Sequence, residues 1–352
     1  MLKNTYTIAT TGLLLLFMGS CISTVPSSCE EIVDSVQPNE QVASENGGAD
    51  TSIWETRASL LEANSELSVT ELDGHIYVMG GYPSSRQTVD TVQIYDTTSD
   101  SWRYGPPLSV ASNHNVAASV DGIVYIIGGQ PTSRGGGPFL QDVYAYDPAS
   151  DSWEGRALMP TWRSGSAGAV LNGKIYVAGG RPPHGHDFAV YDPQHDEWTV
   201  LPDMPTQRNH FIVVAIEGEI YAVGGRFGGG FSSEVTDIVE IYNPETNEWR
   251  LGTPMPTKRS GHNGIVANGC LHIMGGEGNG TGNVDGLYPQ HEVYDPITDT
   301  WTSLAPMPIP VHGVTGMAFV DGWIHFPGGG TSQGGSSGSD IHQVYQPSME
   351  CS

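Results

Sequence analysis

Six times along the chain a short apolar run ends in a pair of glycines, at 75–81, 123–129, 174–180, 219–225, 270–276 and 323–329. A two-residue signal precedes each run: Asp73-Gly74, Asp121-Gly122, Asn172-Gly173, Glu217-Gly218, Asn268-Gly269 and Asp321-Gly322. Asp-Gly and Asn-Gly between apolar runs mark tight hairpins, because such turns need positive φ. Each unit therefore contains two antiparallel strands, A and B. After a loop of variable length comes a third run, strand C, carrying Tyr95, Tyr146, Tyr191, Tyr242, Tyr294 or Tyr345. In the first five units a tryptophan follows seven residues later: Trp102, Trp153, Trp198, Trp249 and Trp301. It opens strand D, which runs into a Met-Pro turn in several units, as at Met159-Pro160 and Met204-Pro205.

Paired glycines after an apolar strand, then tyrosine, then tryptophan, at a period of about fifty residues, resemble the kelch repeat. The resemblance covers about residues 52–347. It implies an all-β fold, a six-bladed β-propeller with one four-stranded sheet per repeat arranged radially. The sixth unit has no tryptophan after Tyr345, while Trp54 stands in a strand-D-like stretch with no strands A to C before it. This N-terminal strand is expected to complete the last blade from outside, making 52–352 one propeller domain.

The start of the chain has a different character. Lys3 is followed by an apolar stretch, 8–18, too short to span a bilayer. It reads as the core of a signal peptide, 1–20. Met18-Gly19-Ser20-Cys21 resembles a bacterial lipobox, which implies lipid attachment at Cys21. Residues 21–51 read as a flexible tether. The expected location is the outer membrane or cell surface as a lipoprotein, otherwise the periplasm or medium. With Cys21 lipidated, three cysteines remain. Cys29 with Cys351 could staple the two termini together, a pairing the sequence leaves open, and Cys270, which begins an apolar strand, reads as a buried free thiol. A net charge of −25 excludes nucleic acid and charge-driven docking on anionic lipid.

The D–A and B–C connections share one face of such a ring, and they are the variable ones. Aligning strand A on its turn residue puts Arg163, Arg208, Arg259 and His312 nine positions before it, and His114 and His210 seven before it. Strand side chains alternate, so these share one side, while His262, six before, faces the other. Arg181 and Arg226 begin B–C loops directly after the glycine pair. One reading is a cationic ring at the channel mouth, suited to a carboxylate or sulfate on a sugar or peptide. The other is that these arginines pair with loop carboxylates or backbone inside the fold. His184, His186 and Asp187 are metal-ligand types, but no further ligand is identifiable, so no metal and no cofactor are expected. The glycine-rich loops 135–137, 228–230 and 329–338 lack a following helix and read as surface loops, not phosphate cradles.

Function is read in two ways. The first is a non-catalytic, monomeric propeller outside the cytoplasm that binds an unidentified protein or an acidic glycan. The alternative is an exported sugar-active enzyme similar to bacterial sialic acid mutarotases, with His210 and a neighbouring carboxylate as an acid–base pair. No motif of that activity matches residue by residue.

Overall fold

The computed structural model describes residues 53–133, 136–335 and 337–351. The expected signal peptide and tether, with Cys21 and Cys29, lie outside them, as does Gly135. The described residues contain no helix, and their strands form six sheets.

Blade 4 shows the plan. Strand A (Ile212–Ile216) is followed outward by B (Glu219–Val223), C (Val239–Asn243) and D (Glu248–Leu251). Strand B is apolar and buried along nearly its whole length because sheets cover both its faces. Strand D, at the outer edge, half-buries only Trp249. Blades 1, 2, 3 and 5 repeat this order, with strands A at Leu67–Leu72, Val116–Val120, Ala167–Leu171 and Asn263–Ala267. The core lies between blades, as where Ala178 and Phe188 of blade 3 meet Phe211 and Ile220 of blade 4. All six hairpin turns have positive φ at both residues, as the Asp-Gly and Asn-Gly pairs require. The glycine pair ending strand B answers a close approach: a Cβ on Gly80 would lie 2.2 Å from the Ser112 carbonyl oxygen.

The Tyr–Trp spacing serves two joints. Tyrosine hydroxyls donate within the blade to the C–D turn, Tyr191 to Asp196 and Tyr242 to Asn247, both at 2.6 Å. Tryptophan indoles donate to the preceding blade, Trp198 to the Ala157 carbonyl at 3.0 Å and Trp249 to Pro202 at 3.1 Å.

Blade 6 closes the ring as expected from the sequence. Its strands are Ala318–Val320, Trp323–Pro327 and His342–Gln346, with Ile53–Thr56 antiparallel on the outside. Trp54 stands opposite Tyr345, their rings 5.0 Å apart. The innermost strand of this blade is broken. Val314–Thr315 pairs in parallel with strand A of blade 1, and the strand resumes at Ala318 beyond Gly316.

The cysteine expectation is corrected. Cys270, the first residue of strand B in blade 5, is bonded to Cys351 and is not a free thiol. After Gln346 the chain reaches back to the A–B turn of blade 5, where the Cys351 N–H donates to the Asn268 carbonyl at 2.9 Å. That contact brings the two Cα atoms to 5.0 Å, within reach of a disulfide. The Cys29–Cys351 pairing is thereby excluded.

Candidate functional site

Just before each strand A the chain makes a left-handed kink. The kink residues are Glu66, His114, Gly165, His210 and Gly261, with φ of 53°, 55°, 65°, 53° and 58°; in blade 6 Gly313 takes the place at 69°. Their backbones are linked across blades. The N–H of His114 donates to Glu66, Gly165 to His114, His210 to Gly165, Gly261 to His210 and Gly313 to Gly261, at 2.8–3.1 Å. This tier surrounds the axis, and below it lies a cavity of about 50 Å³ walled by apolar residues such as Val116, Ile212 and Val314. Glycine is the ordinary residue at such a φ, and a glutamate or histidine there costs about 1–2 kcal/mol. Three blades use glycine, and three hold Glu66, His114 and His210 against that cost.

A second tier sits above. The residue after each glycine pair bridges to the residue near the kink, as Tyr82 to Ser65, Arg226 to Asn209 and Glu277 to Ser260. This tier supplies Tyr82, Arg181, Arg226 and Glu277. All four are buried, as are the kink side chains and His312. Tyr82, Arg181, Arg226 and Glu277, with Glu66, His114 and Arg86, line a cavity of about 100 Å³ that opens on the loop face.

The contacts form a circuit. Glu66 Oε2 lies 3.0 Å from His114 Nε2, and Glu66 Oε1 lies 3.7 Å from His312 Nδ1. Arg181 Nη2 donates to His114 Nε2 at 3.1 Å and to His210 Nε2 at 3.3 Å. Arg226 Nη1 pairs with Glu277 Oε1 at 2.6 Å, and Glu277 Oε2 accepts the Gly334 N–H at 2.8 Å. The imidazoles are held from behind: His114 Nδ1 donates to Asn113 Oδ1 at 2.5 Å, and His210 Nδ1 to Asn209 Oδ1 at 2.7 Å. Asn209 is itself fixed, donating from Nδ2 to the Gly228 carbonyl at 2.9 Å. Both rings therefore carry the proton on Nδ1 and turn the Nε2 lone pair inward.

Burial, reinforced by Arg181 and Arg226, pushes both imidazoles well below the ordinary histidine pKa. Burial raises the Glu66 carboxyl, against the pull of His312. For Glu277 burial works upward too, but His312 and Arg226 outweigh it and hold the carboxylate below its ordinary value. Burial, then Arg226, lowers Arg181 to about 10, which leaves it a cation at neutral pH. Tyr82 is pushed upward by burial, so its phenol stays protonated. Among the described residues neither Tyr82 Oη nor Arg226 Nη2 has a hydrogen-bond partner, and both residues line the upper cavity.

The expected site is thus partly assembled and partly relocated. His114, His210, His312, Arg181 and Arg226 meet at the mouth. Arg163, Arg208 and Arg259 do not: each is fully buried inside its own blade. Arg208 pairs with Glu240 at 3.0 Å and donates to the Ala222 carbonyl. Arg259 pairs with Glu292 at 3.0 Å. Arg163 donates to the Val177 and Asp187 carbonyls. These guanidinium groups are buried against strands B and C of their own blades and do not reach the mouth, so the three-arginine ring is corrected to a set of internal pins. His262 does face the other way, onto the Val223 carbonyl at 3.1 Å. His184 and His186 diverge, the first to Asp187 and the second to the Met204 carbonyl. Glu66, Tyr82 and Glu277 are additions. The signal for them was available: Glu66 is seven before Asp73, the slot of His114 and His210, and Tyr82 and Glu277 follow glycine pairs as Arg181 and Arg226 do.

Comparison with known proteins places this geometry in context. Residues 49–225 match the KLHDC2/KLHL20/DRC7 Kelch-repeats domain, and residues 207–256 match the Kelch motif. Kelch-like protein 23 of Homo sapiens is 31% identical over 261 residues, 73% of this chain and 45% of that protein. Kelch-like protein terF of Aspergillus terreus is 30% identical over 314 residues, 85% of this chain and 56% of that protein. The chain thus spans about half the length of these curated relatives. Among solved structures, that of YjhT superposes with a TM-score of 0.67 over 80% of this chain and 95% of YjhT, at 16% identity, a likeness of fold.

Proposed function

Because the chain belongs to the kelch-repeat family, we propose that it is a binding propeller whose ligand presents a carboxylate to the mouth of the channel. One observation carries this reading. Three of the eleven arginines, Arg86, Arg181 and Arg226, line a single cavity of about 100 Å³ on a protein of net charge −25. Arg226 Nη2 and the Tyr82 phenol belong to residues that line that cavity, and neither donor has an acceptor among the described residues. A carboxylate on a sugar or a peptide supplies the missing acceptor, and donors that buried bind charge more strongly than donors in water. The test is a binding screen of the full chain with glucuronic acid, sialic acid, acidic peptides and their neutral counterparts. Arg86→Ala, at an exposed rim position, and Tyr82→Phe should each weaken the acidic ligand about tenfold. Equal binding of neutral counterparts, or indifference to both substitutions, would reject the reading.

A second reading has its own observation. Glu66 and His114 stand one hydrogen bond apart at the inner wall of the same cavity. A carboxyl and an imidazole so placed form an acid–base pair able to move protons on a bound acidic sugar, as an exported sugar-active enzyme requires. Accelerated anomeric exchange that Glu66→Gln abolishes would favour it over binding alone. Export itself is supported by the signal-like residues 1–20 with Cys21, and by the Cys270–Cys351 bond, which belongs to oxidising compartments. Palmitate labelling lost in Cys21→Ala is the expected result. A cytosolic protein with reduced Cys270 would contradict it.

A further inference from the structure

We propose that Glu66, His114 and His210 form a binding site for one divalent transition-metal ion of the zinc class, and that Arg181 is the tethered cation occupying its place when the ion is absent. This inference goes beyond the carboxylate reading, shares Arg181, Glu66 and His114 with it, and concerns the inner tier.

Among the described residues these three offer ligand atoms that all lie within 4.8 Å of one another. Zinc bonds to imidazole nitrogen and carboxylate oxygen are about 2.0–2.2 Å, so neighbouring donors around a tetrahedral ion sit about 3.3 Å apart. Glu66 Oε2 and His114 Nε2 already stand at 3.0 Å. Two imidazoles and one carboxylate suit a borderline divalent ion and leave positions open for water or ligand.

The second observation is orientation. Each imidazole has its Nδ1–H held by an asparagine, Asn113 or Asn209, and presents a bare Nε2 to one point. Such outer hydrogen bonds fix tautomer and ring angle in histidine metal sites. The third is the backbone. The kink is satisfied by glycine in blades 3, 5 and 6, so nothing in the fold demands Glu66, His114 or His210 there. Strain held at such positions marks use.

Arg181 completes the argument. Its Nη2 lies 3.1 Å and 3.3 Å from the two Nε2 atoms, so it supplies positive charge where the donors converge. Its stem comes from the upper tier, at the start of a short B–C loop, and its other anchor is the Gly229 carbonyl. Ion entry requires the guanidinium to leave for the upper cavity.

The experiment is calorimetric titration of Zn²⁺ into the full chain stripped of metal by chelator, with Co²⁺ absorption as a direct view of the ligand shell. The wild type should bind one ion. Arg181→Met, which keeps the stem and removes the charge, should bind roughly tenfold tighter or better, as expected for a unit charge removed from within a few ångströms. Adding His114→Gln or His210→Gln to that variant should cost about 100-fold or more, beyond the loss expected from an outer-shell change. A folded Arg181→Met that binds no Zn²⁺, or whose affinity survives loss of either histidine, would overturn the site. Should Arg181→Met not fold, the wild type in excess Co²⁺ decides. A four- or five-coordinate ligand-field band that His210→Gln removes supports the proposal, and its absence rejects it.

Discussion

Arg208 and Arg226 belong to the same blade and are both buried, yet they have opposite roles. Arg208 is enclosed by Glu240 and a strand-B carbonyl, and burial lowers it only to about 10, so the guanidinium stays a cation. Arg208→Met is expected to cost about 3–5 kcal/mol in chemical denaturation, because Glu240 is left buried and unpaired. Arg208→Met with Glu240→Met should recover most of that loss, and neither variant should change ligand affinity. Arg226 instead spends one nitrogen on Glu277 and turns another to the cavity. The sequence placed both in repeat slots but could not separate them, because the pairing of Arg208 depends on Glu240, which lies on strand C of the blade. The kink slot was legible in His114 and His210, and reading the same slot in blade 1 leads to Glu66. A Cβ at Gly165 would lie 2.9 Å from the His210 ring. Gly165→Ala should therefore cost about 1–3 kcal/mol and disturb His210 at once, read as a lower melting temperature together with weaker binding.

Among elements, the outermost strand of blade 6 is the one the sequence predicted from a missing tryptophan. Trp54 packs on Tyr345 at 5.0 Å and on His291 at 5.9 Å. It is half-buried, so Trp54→Ala should cost about 3 kcal/mol, the low end for an aromatic truncation, measured by urea denaturation. The break at Gly316 was not legible, since it follows from parallel pairing with blade 1 and from no local turn signal. Strands B and C of blades 5 and 6 carry another departure. Where blades 1 to 4 have Tyr77, Tyr125, Tyr176 and Tyr221, these hold His272 and His325, bonded to His291 and His342 at 2.9 Å and 3.0 Å. Burial lowers His272 and His325 to about 4 and His342 to about 3, and drives His291 well below its ordinary value. Their folded pKa values are depressed, so the unfolded chain takes up protons first as pH falls. Their contribution is complete above about pH 6.5 and declines toward pH 4, by up to about 1.4 kcal/mol per histidine per pH unit. Melting temperatures across that range should fall steeply. Replacing the four with Tyr and Val, as in blades 1, 2 and 4, should flatten the decline.

At the scale of the molecule, the ring is held shut twice, by the outer strand and by the Cys270–Cys351 bond, which spans 81 residues of sequence. Closing a loop of that length is worth about 4 kcal/mol in the chain-entropy account, so Cys351→Ser should lower stability by up to that amount under oxidising conditions and have no effect in reductant. The six-fold plan was legible because every blade repeats its own turn chemistry. The bond was not, because it depends on where the last residues travel after the final strand. That route has a practical consequence. Ile53 faces Gln346 at the end of the sheet where the A–B and C–D turns emerge, and Cys351 docks on one of those turns. Entry and exit of the propeller therefore share the side remote from the arginine-lined mouth. A bead, sensor chip or fused carrier coupled ahead of residue 53 attaches on that side, so an immobilised array of this protein leaves its ligand openings pointing into the flowing solution.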